Sequence, residues 1–148
     1  MKHRFTITII FLLASCKSSP DKQEHALADS TASVQKLCFL SVSGSTMQDT
    51  AILRLRIEGE QVEGEFENRI YEKDARKGTI SGELRNKVIK GTWHYMQEGK
   101  QDSLPVAFLL SDGKLMQKNY TIDPETGTEL FLEGEPFSIQ FEKTNCPD

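Results

Sequence analysis

The feature that most limits how this chain can fold is a change to a period of two after Leu37, sustained through strand after strand. Between Thr50 and Glu58, Leu53, Leu55 and Ile57 fall on one side of an extended backbone, while Arg54, Arg56 and Glu58 fall on the other. Successive side chains of a strand point to opposite faces, so this alternation describes a strand with one buried and one solvated face. Glu58-Gly59-Glu60 turns the chain, and Val62, Gly64 and Phe66 then alternate with Glu63, Glu65 and Glu67. Beyond the charged stretch Glu72 to Lys77, Ile80, Gly82 and Leu84 repeat the pattern. Arg85-Asn86 makes the next turn, and Ile89, Gly91, Trp93 and Tyr95 supply a fourth row.

Further strands are expected at Leu104 to Leu110, Lys114 to Lys118, Thr128 to Leu132 and Phe137 to Phe141. Ser111-Asp112-Gly113 is a hairpin signal, and Asp123-Pro124-Glu125-Thr126-Gly127 reads as a loop. No helical period interrupts the series. The expectation is an all-β domain over residues 37–148, an antiparallel meander of about eight strands. Three strands carry the unit apolar-x-Gly-x-apolar, at Val62 to Phe66, Ile80 to Leu84 and Ile89 to Trp93. Glycine weakens a strand, so its recurrence in the inward row implies sharp bending or close backbone approach, which a small closed barrel requires.

Two cysteines bracket this region, Cys38 near its start and Cys146 near its end. In an oxidising compartment such a pair in a small domain reads as a disulfide. Closing a loop of roughly 100 residues removes unfolded-state entropy worth about 4.7 kcal/mol in the chain-entropy account. Barrel closure would set the first strand beside the last, where that bond would fasten them.

Ahead of the strands, Lys2, His3 and Arg4 precede an apolar stretch from Phe5 to Leu13. That stretch is too short to span a bilayer as a helix, which takes about 20 residues, so residues 1–15 read as a secretory signal. Leu13-Ala14-Ser15-Cys16 follows at once and resembles the lipobox of bacterial lipoproteins. The resemblance implies cleavage before Cys16, a thioether-linked diacylglycerol on its thiol, and acylation of the new amino terminus; two or three acyl chains anchor stably where one does not. Residues 16–36 are rich in Ser, Gln, Asp, Lys and Ala and poor in apolar side chains, the composition of a flexible tether. Lys17 is not the aspartate that retains enterobacterial lipoproteins at the inner membrane, so the implied location is the outer membrane, facing periplasm or cell surface.

The strand region is similar to small lipocalin-like lipoproteins of Bacteroidota. The similarity rests on the lipobox, the glycine-centred strands and Tyr71-Glu72-Lys73-Asp74 ahead of Gly78-Thr79-Ile80-Ser81-Gly82. It implies a lipocalin-like barrel and carries over no catalytic residue. The Gly-x-Trp that lipocalins carry near the first strand is missing there, since Gly91-Thr92-Trp93 comes far too late.

Chemistry-bearing residues are sparse. Beyond the signal, His25 falls in the tether, and His94 alternates with inward Trp93 and Tyr95 and so faces out. No spacing supplies the three or four ligands of a zinc site, and no nucleophile and base stand together, so neither a metal, a cofactor nor catalysis is expected. Glu63, Glu65 and Glu67 form an acidic row that Arg54 and Arg56 on the neighbouring strand would balance. Removal of Lys2 and Arg4 with the signal leaves 16 basic against 22 acidic side chains, a formal charge of −6. Nucleic acid is disfavoured, because phosphate binding calls for a basic stripe.

What remains is the barrel interior. Phe66, Trp93, Tyr95 and Phe108 either fill a solid core, the walls pressed together at the glycines, or line a narrow apolar cavity where the glycines withdraw side chains beside Trp93. Two functions stay open: a carrier or sensor of a small apolar ligand, and a protein-binding module in envelope assembly or inhibition. Cys16→Ala should abolish incorporation of a palmitate analogue and leave uncleaved precursor; labelling that persists in the variant would refute the lipobox.

Overall fold

The protein, seen in a computed structural model that describes residues 33–131 and 134–147, is built from ten strands and no helix among those residues. They are β1 (Val34–Ser43), β2 (Asp49–Glu58), β3 (Gln61–Arg69), β4 (Arg76–Arg85), β5 (Val88–Gln97), β6 (Lys100–Ser111), β7 (Lys114–Lys118), β8 (Thr121–Ile122), β9 (Glu129–Leu130) and β10 (Phe137–Thr144). Eight of them close an antiparallel barrel in the order β1-β10-β7-β6-β5-β4-β3-β2, the meander that the period-two pattern implies. The signal segment 1–15, Cys16 and the tether up to residue 32 lie outside the described residues.

Two boundaries differ from expectation. β1 starts at Val34, inside the segment assigned to the tether, with Val34, Gln35 and Lys36 paired to Glu58, Ile57 and Arg56. Partners on β2 satisfy their backbone although their side chains stay exposed, so composition alone misplaces the boundary. Thr128 to Leu132 is not a barrel strand: Glu129 and Leu130 pair instead with Ile122 and Thr121 in a separate two-stranded ribbon.

Alternation builds the core. Phe39, Leu53, Val62, Phe66, Ile80, Ile89, Trp93, Phe108, Leu115 and Phe141 are all buried on the inner face. Phe108 meets Phe66 and Phe141 edge-on, with ring centroids 6.0 and 6.3 Å apart, the geometry that the aromatic quadrupole favours. Outside, Arg54 pairs with Glu65 at 3.6 Å, as the acidic row suggests. Arg56, opposite Glu63, turns to Glu58 on its own strand at 2.7 Å, and Glu67 is paired with Arg69 and Lys77. The exposed pairs of Arg54 and Arg56 add little stability each, whereas Glu67 is itself buried.

The barrel has two unlike poles. At one, β2–β3, β4–β5 and β6–β7 are joined by the tight turns 59–60, 86–87 and 112–113, and the chain enters at Val34. At the other lie the tight turn 98–99 and the longer connections 44–48, 70–75 and 119–136. The closing seam is short, since only Cys38, Phe39 and Leu40 of β1 pair with β10. Cys38 lies outward between inward Leu37 and Phe39, opposite Thr144, and is disulfide-bonded to Cys146 with the Cα atoms 5.2 Å apart. That cross-link spans 108 residues and fastens the seam with the fewest ladder bonds.

The glycines provide the close approach that their spacing implies. Gly82 lies opposite Gly91, and a Cβ on Gly82 would stand 2.4 Å from the Lys90 carbonyl oxygen and 2.7 Å from the Gly91 Cα. The tightest position is Gly78, between Phe66 of β3 and Tyr95 of β5, where a Cβ would fall 1.8 Å from the His94 carbonyl oxygen. Here β4 is pressed onto β5. Gly78→Ala should therefore cost at least about 3 kcal/mol in urea unfolding, since backbone must shift. Gly113→Ala, with φ +83° but open space around it, should cost only about 1 kcal/mol. Equal losses at the two positions would rule out close approach as the constraint.

Candidate functional site

At the pole with long connections, the inner rows end in a recess of about 290 Å³. Phe66 and Trp93 form its floor, with ring centroids 4.5 Å apart and the Trp93 Nε1–H donating to the Phe66 carbonyl at 3.2 Å. That bond satisfies the one polar atom of a fully buried ring. The walls are Asn68 and Ile70 from the end of β3 and its loop, Lys73 and Asp74 from the same loop, Arg76 at the start of β4, Gln97 from β5, Gln117 and Tyr120 from β7 and beyond, and Glu129 from β9.

Of the four aromatics expected around a cavity, Phe66 and Trp93 face this recess and the other two do not. Tyr95 packs tilted against Trp93, centroids 4.6 Å apart, and its hydroxyl approaches Asp102 at 3.4 Å. Phe108 is sealed in the core against Phe66 and Phe141. Below the floor the barrel is filled by rings and branched aliphatics, so the space lies at the mouth and not mid-barrel.

The ribbon crosses that mouth because β7 is short. It pairs with β6 only over Phe108 to Ser111, and the chain then leaves the wall to form β8 and β9. Three contacts hold the ribbon. Tyr120 donates its hydroxyl to the Pro105 carbonyl at 2.6 Å, its ring stacks on Phe131 with centroids 4.9 Å apart, and Glu129 reaches Arg76. The turn between β8 and β9 is organised by Asp123, whose carboxylate accepts from the Glu125 and Thr126 N–H groups at 2.8 and 3.3 Å. Those two donors hold the carboxyl below its ordinary range.

Arg76 is the pivot of the wall. Its Nη1 donates to both oxygens of Glu129, at 3.1 and 2.9 Å, and its Nε donates to Gln97 Oε1 at 2.9 Å. Gln97 is itself held by the Asp74 carbonyl at 3.3 Å, and the guanidinium lies 5.1 Å from the centre of the Tyr95 ring. The bond to Glu129, ahead of the opposing effect of burial, keeps the Arg76 pKa above its usual value. Burial, reinforced by the charge of Glu129 and against a Gln117 hydrogen bond, pushes the Tyr120 phenol well above its ordinary range. It therefore stays protonated and keeps donating.

A larger depression of about 550 Å³ lies on the outer face, bounded by Lys36, Leu55, Arg56, Gly64 and Pro147 among others. It is a broad, open hollow over the flat of the sheet, where Arg54 is paired with Glu65 and Arg56 with Glu58. The recess at the mouth differs in combining a buried aromatic floor with converging polar groups, the usual composition of a small-molecule site. His94 is exposed on the outer face, and no three His, Cys, Asp or Glu side chains cluster as metal ligands among the described residues.

Comparison with known proteins gives no match, whether with protein-family models, curated proteins or solved structures. Tyr120→Phe should lower stability by about 1 kcal/mol through the orphaned Pro105 carbonyl. It should also speed amide exchange at Thr121 and Ile122 while leaving β2 to β5 unchanged; unaltered exchange in the ribbon would mean that this bond does not hold it.

Proposed function

We propose that this chain is a lipid-anchored envelope protein, attached to the outer membrane through Cys16, whose non-enzymatic barrel binds a small, largely apolar ligand at its mouth. The observation that carries the binding reading is the recess over Phe66 and Trp93, where a buried aromatic floor meets Arg76, Gln117 and Tyr120. Its volume of about 290 Å³ is at the small end of ligand sites, room for about ten waters and so for a compact molecule, not a sterol. The anchoring half of the proposal rests on Leu13-Ala14-Ser15-Cys16 behind its basic and apolar stretch. The disulfide supports an oxidising compartment. The acidic balance of the chain, 22 acidic against 18 basic residues, argues against nucleic acid as partner.

A second reading, a protein-binding module, is favoured by a different observation. Among the described residues, and apart from Val34, the exposed large apolar side chains Val42, Met47, Ile70, Tyr71, Met96 and Ile122 lie at the ends of strands or in connections on the mouth side. Apolar groups gathered at one rim mark contact surfaces more than scattered ones do.

Trp93 is the sole tryptophan and forms the recess floor, so its emission reports occupancy. Linear compounds of about eight carbons should change that emission saturably, while sterols and quinones should not, being larger than the recess. If none of these alters the emission and calorimetry detects no heat, the ligand reading falls and the protein-binding reading replaces it.

A further inference from the structure

Arg76 is fixed from two sides that do not involve Glu129. Gln97 accepts from its Nε at 2.9 Å and is held in turn by the Asp74 carbonyl, and the Tyr95 ring lies under the guanidinium. Glu129 is placed differently. It sits on β9, whose only ladder among the described residues is the two-residue pairing with β8, and such a ribbon is marginal by itself. The Arg76–Glu129 pair thus joins a rigidly held cation to a weakly held anion, and both groups line the recess.

From this we infer that Arg76 is the receptor for a carboxylate on the ligand, and that Glu129 occupies that receptor as an internal stand-in until the ligand displaces it. The inference rests on the ligand-binding reading of the recess and specifies its ligand class: a monocarboxylate with a short apolar body. Charge supports it. The charged side chains of the wall are Lys73 and Arg76 against Asp74 and Glu129, balanced while Glu129 is in place. Withdrawing Glu129 leaves one positive charge in excess, which a single ligand carboxylate restores. Geometry supports it too. Both Glu129 oxygens bond to Arg76 at 2.9–3.1 Å, so a carboxylate is a shape this guanidinium already accepts, and Arg76 Nη2 makes no hydrogen bond among the described residues. With its head at Arg76, an apolar body would lie on the Phe66 and Trp93 rings that share the recess.

The test compares octanoate with octan-1-ol, alike in length and differing in charge, by Trp93 emission and calorimetry on the full chain at neutral pH. Octanoate should bind the unaltered protein about tenfold more tightly than the alcohol, as expected for a charge-assisted bond. Glu129→Gln removes the charged internal competitor and should tighten octanoate about fivefold relative to the alcohol. Arg76→Gln should bring octanoate down to the affinity of the alcohol. Equal binding of acid and alcohol by the unaltered protein would overturn the inference while sparing the recess as an apolar site. Weaker octanoate binding by Glu129→Gln would overturn it by making Glu129 part of the receptor. No response to either compound would remove the ligand-binding reading itself.

Discussion

The structure depends on the closure of β1 against β10. An open sheet of this size would expose its inner row of Phe39, Leu53, Phe66 and Trp93 along two edges, and bringing those edges together buries the row from all sides. The seam is nevertheless the weakest ladder in the barrel wall, three residues of β1 against β10, and it joins the most distant parts of the domain. Loop-closure entropy is greatest for such a pairing, and the Cys38–Cys146 bond removes that entropy from the unfolded chain. Closure also demands curvature. Gly64, Gly82, Gly91 and above all Gly78 supply it, at points where any Cβ would collide with the backbone of the next strand.

Tight curvature with large aromatics leaves no space at mid-barrel. Phe66, Trp93, Phe108 and Phe141 fill the cross-section, and the polar groups inside are confined to the level where β7 ends. Gln117 marks that level: it is buried, inward and one residue short of the end of β7. Above it the wall is incomplete, and the ribbon of β8 and β9 crosses from Tyr120 on one side to Arg76 on the other. The recess thus follows from a mismatch of strand lengths, a long β6 beside a short β7, and not from small side chains in the core.

Much of the barrel is legible in the sequence, because alternation over β2 to β7 and β10 reports directly on which face is buried. The glycine spacing likewise announces close approach. The ribbon is not legible. Thr128 to Leu132 alternates like any short strand, and nothing local says whether such a segment pairs within the wall or outside it. Nor does sequence spacing link Arg76 to Glu129, 53 positions apart, since their meeting depends on the course of the ribbon. Of the four aromatics expected around a cavity two share its floor, and although the charged stretch Glu72 to Lys77 that supplies Lys73, Asp74 and Arg76 stands out in the sequence, nothing local brings it to Gln117 and Glu129. One signal was present and informative. Pro105 lies inside a strand pattern, and proline belongs on an edge.

Pro105 has a further consequence. Its carbonyl turns away from β5 to Tyr120, so its nitrogen, which points the same way in an antiparallel strand, would have donated to nothing on β5. Over Lys100 to Ala107, β6 has no ladder partner on its β7 side among the described residues, which makes this stretch an edge inside an otherwise closed wall. Such edges invite pairing with the same edge of another copy. Here proline removes one donor, the Tyr120 hydroxyl occupies the carbonyl, and the Asp102 carboxylate takes the neighbouring Ser103 N–H at 2.7 Å. The Pro105 nitrogen, the Pro105 carbonyl and the Ser103 N–H are thereby withdrawn from pairing, so the gap that admits a ribbon across the mouth offers little to the same edge of another copy.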